Sequence, residues 1–438
     1  MWMLRRGRLA RQHLTPRDQL SKPRLLHATA RAPNKLTRAS DRVSIEWTAT
    51  TTQSAASASA PSSSFHHIWL RDNCQCPQCV HPSNRQKLHS SADVSTASLL
   101  KAETAELVNN GKQLQIRWAP GSLLRLGHRR PNDDNDDNAG HHETLFDLTW
   151  LRANDPALAA RRRDALLKPL LWTADDFTRS KQDVQYDDFM SESGQGLRTA
   201  LRQLRDYGLA FIRNAPTTRD TEVERIAERF GCIRHTFYGP SWNVKSMPDA
   251  KNIAYTSLDL GLHMDLMYFE APPGLQLLHS LKNSVTGGAS IFLDSFKAAS
   301  ILKATNPEAY RALLEIPVTF HYINDGRHMH FRRPTIVEND ANEPLMVYYA
   351  PPFQGPLECS PDDVARFYPA FQAFADIMRD PALTYKMMMR PGDCMVFANR
   401  RVLHGREEFD AASGERHLKG AYVDWDDFKD RLRVVGTE

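Results

Sequence analysis

Apolar and polar residues alternate over residues 43–47 (VSIEW) and 112–118 (KQLQIRW). Successive side chains of a strand point to opposite faces, so this pattern predicts two half-buried strands. A third strand is predicted over 65–70. Residues 48–64 (TATTTQSAASASAPSSS) lack the large apolar residues that build a core and read as a flexible surface insertion. Residues 131–140 (PNDDNDDNAG) read as a solvated acidic loop. Together these features predict a small, loop-rich β domain over 41–152. A domain of that size needs a staple, and a structural metal would serve. Residues 153–190 are polar and partly helical, and read as a connector.

The pattern changes from residue 191, where a larger domain over 191–438 is predicted. Helices are expected at 197–207 and 222–230, the second ended by Gly231, with a strand at 209–213 between them. Further strands are expected at 275–281, 290–293, 318–323, 345–349, 386–389, 394–397 and 418–423. Ser360-Pro361-Asp362-Asp363 opens the clearest helix, with Ser as N-cap, Pro at the first position and acids in the first turn. Short strands with few helices predict a mainly β fold, a sandwich or jelly roll with helices packed outside. No internal repeat is evident.

The chain has 438 residues, 41% hydrophobic and 25% charged, enough to bury a core. It holds no apolar run of roughly 18 residues, so no membrane span is expected. The net charge of +4 is unevenly placed. Residues 1–40 hold ten lysines and arginines against one acid, Asp18, so the rest of the chain has an excess of acids. A basic leader ahead of an acidic body argues against a nucleic-acid partner. Rich in Arg, poor in acids and without an apolar core, the leader reads as a mitochondrial presequence, with the cytoplasm as the alternative location. Of six cysteines, Cys74, Cys76 and Cys79 cluster, while Cys232, Cys359 and Cys394 are scattered. That is a metal-site pattern rather than a disulfide framework.

Three constellations carry chemistry. In GLHMDLMYF, His263 and Asp265 are spaced to share one face of a strand, and His404 in VLHGR offers a distant third ligand. Two histidines and one carboxylate on one face suit Fe(II) and leave positions open for a bidentate co-substrate and O₂. Arg416, at the start of a strand, could grip a dicarboxylate bidentately. Second, three clustered thiolates suit tetrahedral zinc, whose fourth ligand could be His81, His89, His141 or His142. Third, Tyr238, Trp242, Tyr255 and Tyr422 supply aromatic faces. A quaternary ammonium has no N–H to donate, so cation–π attraction is the means of holding it.

On the segments NIAYT, PPGLQLLH, VTGG, VLHGR and RHLKGAYVDW, residues 190–438 resemble the taurine-dioxygenase-type Fe(II)/2-oxoglutarate oxygenases. Within them they are similar to the γ-butyrobetaine/trimethyllysine hydroxylase family. The resemblance implies a double-stranded β-helix (jelly-roll) catalytic domain behind a small N-terminal zinc-binding β domain. It implies iron on His263, Asp265 and His404. It implies 2-oxoglutarate held by Arg416 with Ser290 and Leu278 beside it, O₂ as second co-substrate, and ascorbate as reductant.

The LRDNCxCxxC pattern implies structural zinc on Cys74, Cys76, Cys79 and His142, with His141 the competitor for the fourth position. The four aromatics match the family's trimethylammonium cage, and Asn252 matches a contact to the substrate carboxylate. A homodimer is common in the family. The activity implied is hydroxylation of the small-molecule trimethylammonium substrate γ-butyrobetaine to L-carnitine, a step of carnitine biosynthesis. The alternatives are hydroxylation of N6-trimethyllysine or a related betaine, and a catalytically inactive zinc-domain binding protein. RHLKGAYVDW favours the butyrobetaine branch. Two departures stand out: LMVYYAPPF lacks a second Asn expected near 345–353, and Leu266 follows Asp265 where an aromatic can occur.

Overall fold

The computed structural model describes residues 34–48, 62–95, 100–119, 142–156, 168–245 and 256–435. Most of the basic leader, most of the Ser/Ala/Thr insertion, the acidic tract 131–140, His141, Asn252 and Tyr255 lie outside the described residues. The chain divides into two units, residues 1–163 and 164–438. No helix among the described residues is long and apolar enough to cross a membrane.

The first unit holds two three-stranded antiparallel sheets. One is built from Lys35–Arg38, Arg42–Glu46 and Ser62–His66, the other from Ala102–Val108, Gln113–Trp118 and Glu143–Asp147. Val43, Ile45 and Phe65 of the first pack in one core with Leu114, Ile116 and Phe146 of the second. The strand expected at 65–70 is shifted: it runs Ser62–His66 and gives way to the helix His67–Asp72. Serine-rich composition hid it. Ser63 faces inward beside Phe65, where its hydroxyl accepts the Trp47 indole N–H at 2.7 Å, so a polar residue occupies a core position.

An internal repeat is present, against the expectation. Each sheet ends in a strand that runs into a short helix, His67–Asp72 or Leu148–Ala153. Phe65, Trp69, Leu70, Arg71 and Asn73 recur at the same spacing as Phe146, Trp150, Leu151, Arg152 and Asn154. The ring pairs repeat too, Phe65 to Trp69 at 5.3 Å and Phe146 to Trp150 at 5.6 Å, and the two tryptophans meet at 6.0 Å. Both asparagines close their helix by donating to the tryptophan carbonyl, at 2.9 and 2.8 Å. The positions between these anchors carry unrelated residues, which masks the repeat in the sequence.

The second unit is a jelly roll of two facing sheets. Its six-stranded sheet runs in the order Asp183–Gln185, Leu209–Arg213, Cys394–Ala398, Leu275–Asn283, Arg416–Val423 and Ser241–Lys245. Its four-stranded sheet runs Leu260–His263, Val402–Arg406, Ser290–Asp294 and Thr384–Met387. Phe211, Leu278, Met395 and Leu418 from the first pack against Phe292 and Val402 from the second. The helices Ser295–Thr305, Pro307–Glu315 and Pro361–Met378 pack together outside, the last capped by Ser360 as its sequence predicts. Residues 168–190, polar on average, are part of this unit. Trp172 and Phe177 are buried in its core, and Asp183–Gln185 pairs in parallel with Leu209–Arg213. The strand Arg327–Pro334 escaped the sequence pattern because it forms an outlying hairpin with Pro317–Asn324, and three arginines and two histidines interrupt its apolar alternation.

Candidate functional site

The four-stranded sheet brings two histidines together by register. His263, the last residue of Leu260–His263, lies opposite His404 of Val402–Arg406, and their rings are 4.2 Å apart. Asp265 joins them from just past the strand end rather than from within it. There the chain turns through Leu266, whose φ of 60° is left-handed. Oδ1 of Asp265 is 3.4 Å from Nε2 of His263, and one donor atom from each of the three residues lies within 4.8 Å of the others.

The donor set suits a divalent metal. Nδ1 of His263 is 2.9 Å from the Gly261 carbonyl. A carbonyl only accepts, so Nδ1 carries a proton and Nε2 is the nitrogen turned toward Asp265. Burial, reinforced by neighbouring His263, pulls His404 down to about 3, so its ring is neutral as a ligand must be. Three such donors leave the remaining positions of an octahedral ion open.

Two residues that the sequence did not mark, Gln276 and Asn399, hold Asp265 together with Tyr422, which it marked only as an aromatic face. Gln276 donates Nε2 to Oδ2 at 2.7 Å, and the Tyr422 hydroxyl donates to the same oxygen at 2.7 Å. Asn399 accepts from the Asp265 backbone N–H and donates to its carbonyl, both at 2.9 Å. Burial and the Asp265 charge push the Tyr422 phenol well above its ordinary range, so it stays a donor. None of these pairings leaves a local sequence signal, because each spans at least 11 residues.

Arg416 opens the strand Arg416–Val423 and lines one cleft with His263, Asp265, His404, Leu278 and Ser290. Its Nε has no hydrogen-bond partner, and no ion pair to it occurs among the described residues. Burial and the nearby Arg406 pull its guanidinium down to about 10, still charged at neutral pH. A half-buried guanidinium that lies over the Phe409 ring at 5.6 Å and has no carboxylate partner among the described residues calls for an anion.

Trp242 lines the same cleft. Its indole stacks on the Tyr422 ring at 4.2 Å and meets Tyr238 at 6.2 Å. Gly420, paired with Trp242 across the sheet, makes this possible, since a Cβ there would collide with the indole. The close stack leaves no space between Trp242 and Tyr422, so a cation would meet the Tyr238–Trp242 side. Tyr268, also missed by the sequence reading, is buried close by in an aromatic cluster. The Asn-free stretch after Leu345 lies against the metal turn, where Tyr349 accepts from Met264 N–H at 2.8 Å.

In the first unit, Nε2 of His142 is 3.3, 3.8 and 3.7 Å from the sulfurs of Cys74, Cys76 and Cys79. His89 instead pairs with Asp72 at 3.3 Å, and His81 faces its own loop at Ser83. Arg71 donates to Cys79 Sγ and Thr144 to Cys74 Sγ, each at 3.2 Å. Three soft sulfurs and one imidazole, with every position filled by protein, match a closed structural zinc site.

Comparison with known proteins agrees with this geometry. Residues 166–422 match the taurine catabolism dioxygenase TauD, TfdA family, and residues 34–122 match the gamma-butyrobetaine hydroxylase-like N-terminal family. Dioxygenase str8 of Strobilurus tenacellus is 35% identical over 84% of this chain and 84% of its own length. Gamma-butyrobetaine dioxygenase of Pseudomonas sp. (strain AK-1) is 32% identical over 85% of this chain and 91% of its own length. The mitochondrial trimethyllysine dioxygenase of Homo sapiens is 30% identical over 85% of this chain and 83% of its own length.

Proposed function

Since the chain belongs to the TauD, TfdA dioxygenase family and carries its gamma-butyrobetaine hydroxylase-like N-terminal domain, we propose that it hydroxylates a trimethylammonium acid, γ-butyrobetaine to L-carnitine. The observation that carries this reading is a single cleft holding the His263, Asp265 and His404 donors, the unpaired Arg416 and the Trp242 ring. His263, Asp265 and His404 would hold iron. Arg416 would take the far carboxylate of 2-oxoglutarate, with Leu278 and Ser290 beside the co-substrate. Iron with 2-oxoglutarate and O₂ supplies the oxidising power, releasing succinate and CO₂ as a C–H bond becomes C–OH. The protein's part is to hold that C–H bond against the cofactor's reactive atom. Tyr238, Trp242 and Tyr422, with Tyr255, would fix the cationic end of the substrate, and Asn252 the acid end. Zinc on Cys74, Cys76, Cys79 and His142 would staple the first unit. The basic leader, together with relatives named as mitochondrial enzymes, favours a mitochondrial location.

The test is succinate formation with Fe(II), 2-oxoglutarate and O₂, with and without γ-butyrobetaine or N6-trimethyllysine. Stimulation by γ-butyrobetaine with matching carnitine is expected. Stimulation by trimethyllysine alone would keep the cation site and overturn the acid end. No turnover above the His263→Ala variant with any substrate would leave a binding protein.

A further inference from the structure

We infer that Tyr422 is a positioning residue that couples the aromatic cation site to the metal site, through one hydroxyl bonded to one oxygen of Asp265. The inference rests on the reading that His263, Asp265 and His404 hold iron. Tyr422 has two distinct contacts. Its ring lies flat against Trp242 at 4.2 Å, and its hydroxyl donates to Oδ2 of Asp265 at 2.7 Å. The support of the Trp242 ring and the support of the metal-ligating carboxylate therefore meet in a single side chain.

The carboxylate has two oxygens with separate duties. Oδ2 already accepts from Tyr422 and from Gln276, while Oδ1 faces Nε2 of His263 at 3.4 Å. With both donors in place Oδ1 alone is offered to the metal, so Asp265 binds through one oxygen and spares a coordination position for the co-substrate. Trp242 has little freedom to move by itself. The indole lies over Gly420, where not even a methyl group fits, and stacks on the Tyr422 ring. A cation that seats Trp242 thereby seats Tyr422 and fixes the direction of Oδ1. Any gain in metal affinity from the cation must be returned as an equal gain in cation affinity from the metal.

Mn(II) is the probe, since a hard ion prefers the imidazole and carboxylate set to the thiolate cluster. It is titrated into the full-length protein, freed of iron, and followed by electron paramagnetic resonance with and without tetramethylammonium. The wild type is expected to bind one Mn(II) that His263→Ala abolishes, and tetramethylammonium should tighten it. Tyr422→Phe keeps the ring, so tetramethylammonium should bind as before. Its Mn(II) affinity should fall about 10- to 100-fold, the usual effect of losing a partner of a ligand, and the tightening should vanish. Gln276→Leu should weaken Mn(II) while keeping the tightening, and reads the same oxygen if the Tyr422 variant does not fold. Unchanged Mn(II) affinity and tightening in Tyr422→Phe overturn the coupling alone. A wild type that binds Mn(II) no better than His263→Ala overturns the metal-site reading, and the coupling with it.

Discussion

Asn399 brackets Asp265 through the backbone, its side-chain amide accepting from the N–H and donating to the carbonyl, both at 2.9 Å. This pairing stands beside Leu266, whose φ of 60° strains a branched residue. Such strain costs about 1–3 kcal/mol and persists only where its surroundings hold it. Asn399 is fully buried on the turn between Cys394–Ala398 and Val402–Arg406, so it ties the Asp265 turn to the strand that carries His404.

Asn399→Ala should therefore lose both hydrogen bonds and release the turn. A stability loss of about 2 kcal/mol is expected from the bonds themselves. Succinate formation should fall more than tenfold, because Asp265 no longer meets the histidines. Denaturant titration and turnover are measured together; full turnover in the variant would show that the turn holds itself.

Arg416→Lys keeps the charge and loses the planar fork that matches a carboxylate. The KM for 2-oxoglutarate should rise at least tenfold while kcat changes less. A KM left unchanged would move the co-substrate's far carboxylate away from Arg416.

In the first unit the Trp118 indole donates to Thr144 at 2.8 Å, and Thr144 donates on to Cys74 Sγ at 3.2 Å. Thr144→Val removes both hydrogen bonds, at about 1 kcal/mol for each. Cys76→Ser should destabilise more, since it removes a ligand from a closed site whose binding energy is folding energy. Zinc content and melting temperature are the readouts. A Cys76→Ser protein that melts like wild type would remove the structural zinc.

His279 is fully buried. Burial pulls it down to about 4 from its ordinary 6.5, against the raising effect of Glu222, the Ala215 backbone and Asp393. Between those values the unfolded chain takes up a proton that the folded chain refuses. Stability from this group is thus complete above pH 6.5, falls as pH drops through the window, and levels off below about 4. The full loss is about 3 kcal/mol by the conversion of 1.36 kcal/mol per unit. His279→Leu should flatten the slope of stability against pH between 6.5 and 4, as followed by denaturant titration at several pH values. A slope equal to wild type would assign the acid sensitivity to other groups.

Legibility in the sequence followed the physics of each element. Leu209–Arg213 and Glu222–Phe230 appear as the pattern predicts, because their apolar periodicity is local and uninterrupted. The strand Ser62–His66 was missed because its inward serine is polar and satisfied by an indole. Trp172 and Phe177 show that a polar stretch can still supply core aromatics. The repeat around Trp69 and Trp150 needs only anchors at matching positions, and the residues between them are free to differ.

The sequence by itself determined the donor types. It marked two histidines and an aspartate, three clustered thiols, a lone Arg at a strand start, and aromatics near them, since those choices are written in residue identity and short spacing. The tertiary structure placed His142 among the thiols, and His81 and His89 elsewhere. It decided that Asp265 reaches His263 from a turn rather than along a strand. It also decided that Gln276, Asn399 and Tyr422 hold Asp265. Those contacts link segments up to 157 residues apart. Chain order carries no term for such pairs; cross-strand register and the packing of two sheets bring them into contact.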